Sequence, residues 1–374
     1  MRVLVAFDKF KDALTAPEAC VAAAAALRAK HPDWQLDLCP LTDGGEGFVE
    51  ILCERLESRL EWVDARRPRG GTVMAPVGFV STAGLPVAAQ ERLGIDGRIA
   101  VAGMASASGL ALLPPDARNP WHTTTAGTGD LLRHAILRKS DAILLGVGGS
   151  ATNDLGLGAL AALGLRFIDA FGQSVDPVPA RWHQIVRVEG RVSLPPVFIA
   201  CDVTNPLLGQ KGCTVTFGPQ KGLPPADVLE LETRARRLAG LLCDHFGFTP
   251  ALAETPGAGA AGGIAFGLMV AAGAKLVPGS ALVADWLDLS TRINAADLVL
   301  TGEGRFDATS LGGKGPGAIA AQARRLGKTA HVFAGSLGVD ADRVHHAITP
   351  PGLPLAEALP RTAELLAAAI GRIL

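Results

Sequence analysis

The chain has 374 residues, of which 48% are hydrophobic and 19% charged, and its formal net charge is -1 at pH 7. That length favours two domains over one, and the near-neutral charge excludes the strongly basic surface that nucleic acid or an anionic membrane attracts, so a small-molecule partner is expected. Six scattered cysteines (Cys20, Cys39, Cys53, Cys201, Cys213 and Cys243) lack the paired spacing of a zinc or redox site and are expected to be reduced thiols of a cytoplasmic protein.

The opening MRVLVAF is too short for a secretory signal and runs straight into Asp8 and Lys9. Residues 3–7 read as a buried strand, 8–14 as a loop and 16–30 as a helix. Thr15 and Glu18 have capping-box spacing, Pro17 stands in the tolerated first turn, and Pro32 lies just past the end. A second unit runs from a strand at 35–40 through TDGGEG into a helix beginning near Phe48. Residues 64–97, rich in Gly, Pro and alternating β-type residues, break this rhythm. Further strands are expected at 142–147, 197–201, 297–301 and 330–334, each ending in a short polar loop. The recurring strand, glycine-rich turn and Ala/Leu-rich helix describe an α/β protein with largely parallel sheet. The expected organisation is a Rossmann-like or flavodoxin-like α/β domain formed by residues 1–63 and 290–374, with a larger α/β domain, 64–289, inserted. The uncharged stretch 255–274 reads as a loop entering a buried helix, because its glycines and Pro-Gly turn do not suit a membrane span.

Ligands of open α/β sheets bind beyond the carboxyl ends of the strands, so the loops there are the place to seek a site. DKFKDAL (8–14) carries Asp8, Lys9 and Lys11, and TDGGEG (42–47) carries Asp43 and Glu46, which either cap a helix or hold magnesium or a substrate hydroxyl. GVGGSATND (146–154) follows a strand and leads to a helix near Leu155. Its small residues and backbone amides suit a phosphate, with Ser150, Thr152 and Asn153 as polar partners. ACDVTNPL (200–207) ends an apolar strand in Asp202, with Asn205 in the turn, whereas FGPQKG (217–222) with Lys221 reads as an ordinary exposed loop. TGEGRFDATSLGGKGP (301–316) reads as a loop that gathers Glu303, Arg305, Asp307 and Lys314. Acids for magnesium and bases for phosphate in one place are what phosphoryl transfer demands.

Two apparent motifs fail on context. Gly257, Gly259 and Gly262 have dinucleotide spacing but no strand before them, and Gly327, Lys328 and Thr329 resemble the end of a phosphate loop but close a helix. His345 and His346 lack metal-ligand spacing and read as surface residues.

In this order the motifs resemble the bacterial type-1 glycerate kinase family over nearly the whole chain, including ASASGL at 105–110, the TTxxGTGxL stretch at 124–132 and GAGAAGG. Lys9 stands where the family has Ser, Leu155 where it has Gly, Gly103 where an acidic residue is common, and Thr309 where it has Gln. The resemblance implies a two-domain enzyme with its site in the cleft, ATP and Mg²⁺ as co-substrates, and 2-phosphoglycerate as product. On that reading Asp202 orients the substrate hydroxyl and accepts its proton, and Lys11 takes the glycerate carboxylate. Asp307 joins them among the catalytic residues. Asp8, Asp43, Ser150, Thr152, Asn153 and Asn205 are further substrate contacts. Gly148, Gly149, Ser150, Glu303, Arg305 and Lys314 would hold the nucleotide, and either Glu303 with Asp307 or Asp43 with Glu46 would hold the metal. A kinase for a related hydroxy acid, a 3-phosphoglycerate-forming enzyme and a non-catalytic sugar-acid binding protein are the competing readings, and a homodimer is left open.

Overall fold

Strong local signals build the first βα unit. Apolar residues 3–7 form β1 (Arg2–Phe7), buried from Val3 onward, and the helix Ala16–Lys30 starts at a complete capping box: the Thr15 hydroxyl accepts from the Glu18 amide, and the Glu18 carboxylate accepts from the Thr15 amide. This computed structural model describes residues 1–311, 315–338 and 343–374. The remaining strands in chain order are β2 (Gln35–Leu38), β3 (Leu60–Arg66), β4 (Thr72–Ser81), β5 (Arg98–Gly103), β6 (Ala142–Gly146), β7 (Arg166–Ile168), β8 (Arg187–Glu189), β9 (Val197–Ala200), β10 (Lys275–Val277), β11 (Leu298–Phe306), β12 (Thr329–Leu337) and β13 (His345–Ala347). The result is a mixed α/β chain in two compact units, Met1–Asp43 with Val283–Leu374, and Gly44–Leu282.

The first unit holds a five-stranded sheet in the order β13-β12-β11-β1-β2, every neighbouring pair parallel. Taken by appearance within the unit this is the 2-1-3-4-5 order of flavodoxin-like sheets, whose strand order reverses between β1 and β11. Its core includes Val3, Val5, Phe7, Leu300, Phe333, Leu366 and Ile370, and the helix Thr362–Ile373 packs on Ala16–Lys30.

The second unit holds a six-stranded sheet, β10-β9-β6-β5-β4-β3, in which β5, β6, β9 and β10 run parallel while β4 is antiparallel to both its neighbours. The break in rhythm near residue 64 is therefore a β3–β4 hairpin at the sheet edge, and β7 pairs with β8 in a separate ribbon. Residues 44–63, expected with the first domain, belong here because the helix Phe48–Glu54 packs on β4 and β5 and β3 pairs with β4. Residues 283–289 fall in the first unit instead. The uncharged stretch becomes the helix Ala260–Ala272, broken near its start by the left-handed Ala261, Gly262 and Gly263 and buried on nearly every face, and among the described residues no helix is long and apolar enough to cross a membrane.

Candidate active site

In the first unit the sheet's reversal point opens beyond β1 and β11, where ligands of such sheets bind. The Asp8 amide donates to the Gly302 carbonyl at 2.9 Å, the Lys9 amide donates to the Asp8 carboxylate at 2.7 Å, and the Lys9 ammonium pairs with Asp43 at 3.1 Å. Removal from water, with repulsion from Asp43 and Glu303 against the pull of Lys9, pushes the Asp8 carboxyl up to about 7. Burial raises Glu303 as well. A hydrogen bond from the Ser310 hydroxyl opposes that shift, while the Asp307 and Asp43 charges add to it, and Glu303 Oε1 is buried with no protein partner among the described residues. Arg305, largely exposed, pairs with Asp307 at 3.2 Å. Glu303 and Arg305 are strand residues, not loop residues as expected, because β11 runs on to Phe306 and pairs with β12 through Arg305 and Ser336. The cause is close backbone approach. A Cβ on Gly302 would stand 1.8 Å from the Phe333 carbonyl oxygen, so only glycine lets the strands meet there. Lys11 is exposed on the Asp8 loop, and Lys314 lies outside the described residues.

In the second unit four parallel strands deliver their following loops to one edge. The turn after β6 is pinned on both sides: the Leu110 amide donates to the Gly149 carbonyl at 2.7 Å, and the Ala151 amide donates to the Ser108 carbonyl at 2.9 Å. The Gly148 amide donates to the Gly44 carbonyl at 2.9 Å, and a Cβ on Gly148 would lie 2.7 Å from the Gly45 nitrogen, so TDGGEG and GVGGS meet backbone to backbone. Glu46 sits against Gly149, whereas Asp43 pairs with Lys9. The amides of Gly149 and Ser150 donate to no protein acceptor among the described residues, which leaves two N–H groups for an anion.

Several expectations change here. The helix after this turn is Leu157–Ala162 and begins beyond Leu155, because Leu155 and Gly156 are left-handed, with φ of 55° and 73°. Its amides do not face a phosphate, since the buried Asp154 carboxylate accepts from Gly156 at 3.1 Å and Gly158 at 3.2 Å, and also from the Thr125 amide and hydroxyl. Thr152 and Asn153, expected as substrate contacts, are fully buried beneath the turn, where Thr152 Oγ1 and Asn153 Oδ1 lack a partner among the described residues. Asp202 accepts from the Ser280 amide at 2.9 Å and hydroxyl at 3.1 Å, at the start of the helix Gly279–Trp286. The Asn205 amide group donates to the Lys211 carbonyl within its own loop.

Lys221 is not on an exposed loop, because the 3₁₀ turn Pro219–Lys221 is seated on the Arg118 backbone and carries the side chain inward. His345 is likewise buried, on β13 against Phe306, and His346 bonds His331 at 2.9 Å. GAGAAGG is another partner of the turn: Ala261, Gly262 and Gly263 are left-handed, and the Gly262 carbonyl accepts from the Leu155 amide at 3.0 Å. Its run of small residues was the only signal of this packing.

Carboxylates crowd the reversal point of the flavodoxin-like sheet, and the glycine-rich turn of the mixed sheet presents two amides with no protein acceptor among the described residues, as in α/β proteins that bind small ligands beyond their strand ends. The sequence profile described as "Glycerate kinase family" matches residues 3–374. The chain is 37% identical over 341 residues to a glycerate kinase of Halalkalibacterium halodurans, covering 90% of this chain and 86% of that one. It is 36% identical over 352 residues to the glycerate 2-kinase of Escherichia coli K12, covering 92% and 88%. A crystal structure described as a glycerate kinase 2 from Salmonella typhimurium LT2 superposes with a TM-score of 0.77 at 35% identity, over 100% of this chain and 97% of that one. The chain belongs to the glycerate kinase family.

Proposed function

We propose that this glycerate kinase uses ATP with Mg²⁺ and forms 2-phosphoglycerate. The observation that carries the reading is the group of Asp8, Asp43, Glu303 and Asp307 at the end of β1 and β11. Burial and like charge push the Asp8 and Glu303 carboxyls up, and Glu303 Oε1 is buried with no protein partner among the described residues, which marks a place for a cation. That donor set fits a hard cation. Among the described residues no three His, Cys, Asp or Glu side chains enclose a metal site by themselves, which suits a magnesium held by one or two carboxylates together with nucleotide phosphates. Glu303 and Asp307 would hold it, with Asp43 beside them, and the ion would neutralise charge developing on the transferred phosphoryl group. Arg305, and Lys314 by its place in the motif, would bind phosphates. The Gly148–Gly149–Ser150 turn would bind an anionic oxygen through the Gly149 and Ser150 amides, and Lys11 would meet the glycerate carboxylate.

Asp202 would orient the acceptor hydroxyl and take its proton. Asp202→Asn then lowers kcat by roughly 10²- to 10⁴-fold, as expected for a lost general base. A folded variant with near wild-type kcat, losing only thermal stability, would leave Asp202 as the cap that Ser280 records. The reaction itself is tested by coupled ADP release with the product assigned by NMR. ADP is expected only when ATP, Mg²⁺ and glycerate are all present, with the phosphate on the 2-hydroxyl. Equal release without glycerate, or a 3-phosphate product, would overturn the reading.

A further inference from the structure

Lys221 is an ammonium group where the fold has every reason to exclude one. It is 2% exposed, and among the described residues it pairs with no carboxylate. Its amine donates to the Ser150 hydroxyl at 2.8 Å and to the Thr152 carbonyl at 2.7 Å. Both of those acceptors are neutral, and the Asp154 charge, which favours the ammonium without pairing with it among the described residues, does not offset its burial, so a further anion is the expected complement. Ammonium is a donor only, so Ser150 Oγ must accept from it and the hydroxyl proton must point elsewhere. No acceptor for that proton is present among the described residues, and the Gly149 and Ser150 amides beside it are free.

We propose that Lys221 is a positioning residue that fixes the Ser150 hydroxyl as a donor to an anionic oxygen, carboxylate or phosphate, bound at the turn after β6. The proposal rests on the glycerate kinase reading for the identity of the anion but not for its charge. Three consequences follow from the geometry. The cation sits one hydrogen bond behind the anion, so its loss weakens binding through Ser150 and the two mutations do not multiply. An arriving anion favours the charged lysine, so binding takes up protons near pH 8, where burial places this amine. Arginine keeps its charge at every accessible pH and removes that uptake. The titratable groups facing the amine are Asp154 and Cys213, with Glu232 behind Cys213. Burial holds the Cys213 thiol near 11, so it stays neutral at pH 8.

The test is calorimetry of glycerate, ATP and inorganic phosphate at pH 8 in two buffers of different ionisation enthalpy, on wild type, Lys221→Met, Lys221→Arg, Ser150→Ala and the Met/Ala double variant. At least one anion is expected to bind wild type with proton uptake that Lys221→Arg lacks. Lys221→Met should weaken that anion by roughly 10-fold or more, with the double variant no weaker than the worse single one. The KM of the same substrate should rise more than kcat falls, and comparison of the glycerate and ATP arms assigns the anion to carboxylate or phosphate. Proton uptake that persists in Lys221→Arg, wild-type affinity in Lys221→Met, or multiplying losses would each overturn the proposal. Should Lys221→Met fail to fold, Lys221→Arg and Ser150→Ala decide it. Phosphate binding with the expected couplings but no turnover of glycerate would sink the kinase reading and keep the Lys221 inference. No binding of any of the three anions would sink both.

Discussion

Single residues in this protein carry opposing terms whose sizes decide the outcome. Leu155 is left-handed at φ 55°, a conformation that costs a branched residue about 1–2 kcal/mol, yet its side chain is fully buried. Truncating a buried leucine costs about 2–5 kcal/mol, so Leu155→Gly should lower stability by roughly 1–3 kcal/mol despite relieving the backbone. A urea titration showing a gain would mean that strain dominates. Asp8 gives a pH test. Its folded-state pKa lies above the ordinary aspartate value, so the fold binds the extra proton, and this group's contribution is present below about pH 4 and lost as pH rises through about 7. In EDTA, Asp8→Asn should raise the melting temperature by roughly 2–4 °C at pH 8 and by less at pH 5, as read by scanning fluorimetry across pH. An equal shift at both pH values would remove Asp8 as the titrating group. The motif residues themselves were legible in the chain, but the depth of Lys221, Thr152 and Asn153 was not. Burial of a polar turn depends on what docks over it, here the Arg118 backbone and the left-handed GAGAAGG segment.

Elements divide in the same way between local and distant causes. The helix Ala16–Lys30 was legible end to end because its cap is local: bonds from the Thr15 amide and hydroxyl keep the exposed Glu18 carboxyl below the usual range. Thr15→Ala should cost about 1 kcal/mol, seen as a lower denaturation midpoint with kcat and KM unchanged. Altered kinetics would show that this cap also sets the Asp8 loop. β11 was half legible. Its apolar residues announced a strand, but TGEGRF reads as a loop until β12 supplies the partner that requires glycine. The helix after β6 was misplaced by two residues for the converse reason, since only tertiary packing holds Leu155 left-handed.

At the scale of the whole molecule, two of the hydrophobic clusters among the described residues share no residue, one drawing on positions 3–27 and 298–370 and the other on 65–274. Calorimetric unfolding should therefore resolve into two transitions, with a calorimetric enthalpy above the van't Hoff value. One transition with equal enthalpies would show that the units melt as one. The βα rhythm made a split domain legible, but the true limits near 43 and 283 depend on which sheet each segment joins, and that pairing is not local information. The split has a consequence for synthesis. β1 and β2 leave the ribosome first, but β1's other neighbour, β11, is encoded beyond all of Gly44–Leu282. At roughly 5–20 residues per second that interval lasts on the order of ten to fifty seconds. Throughout it the apolar face of β1 is without this partner strand, and by its end the inserted unit is complete enough to fold. Synthesis order and completion order are thus inverted: β1 is made before the inserted unit but belongs to a sheet that only later residues complete.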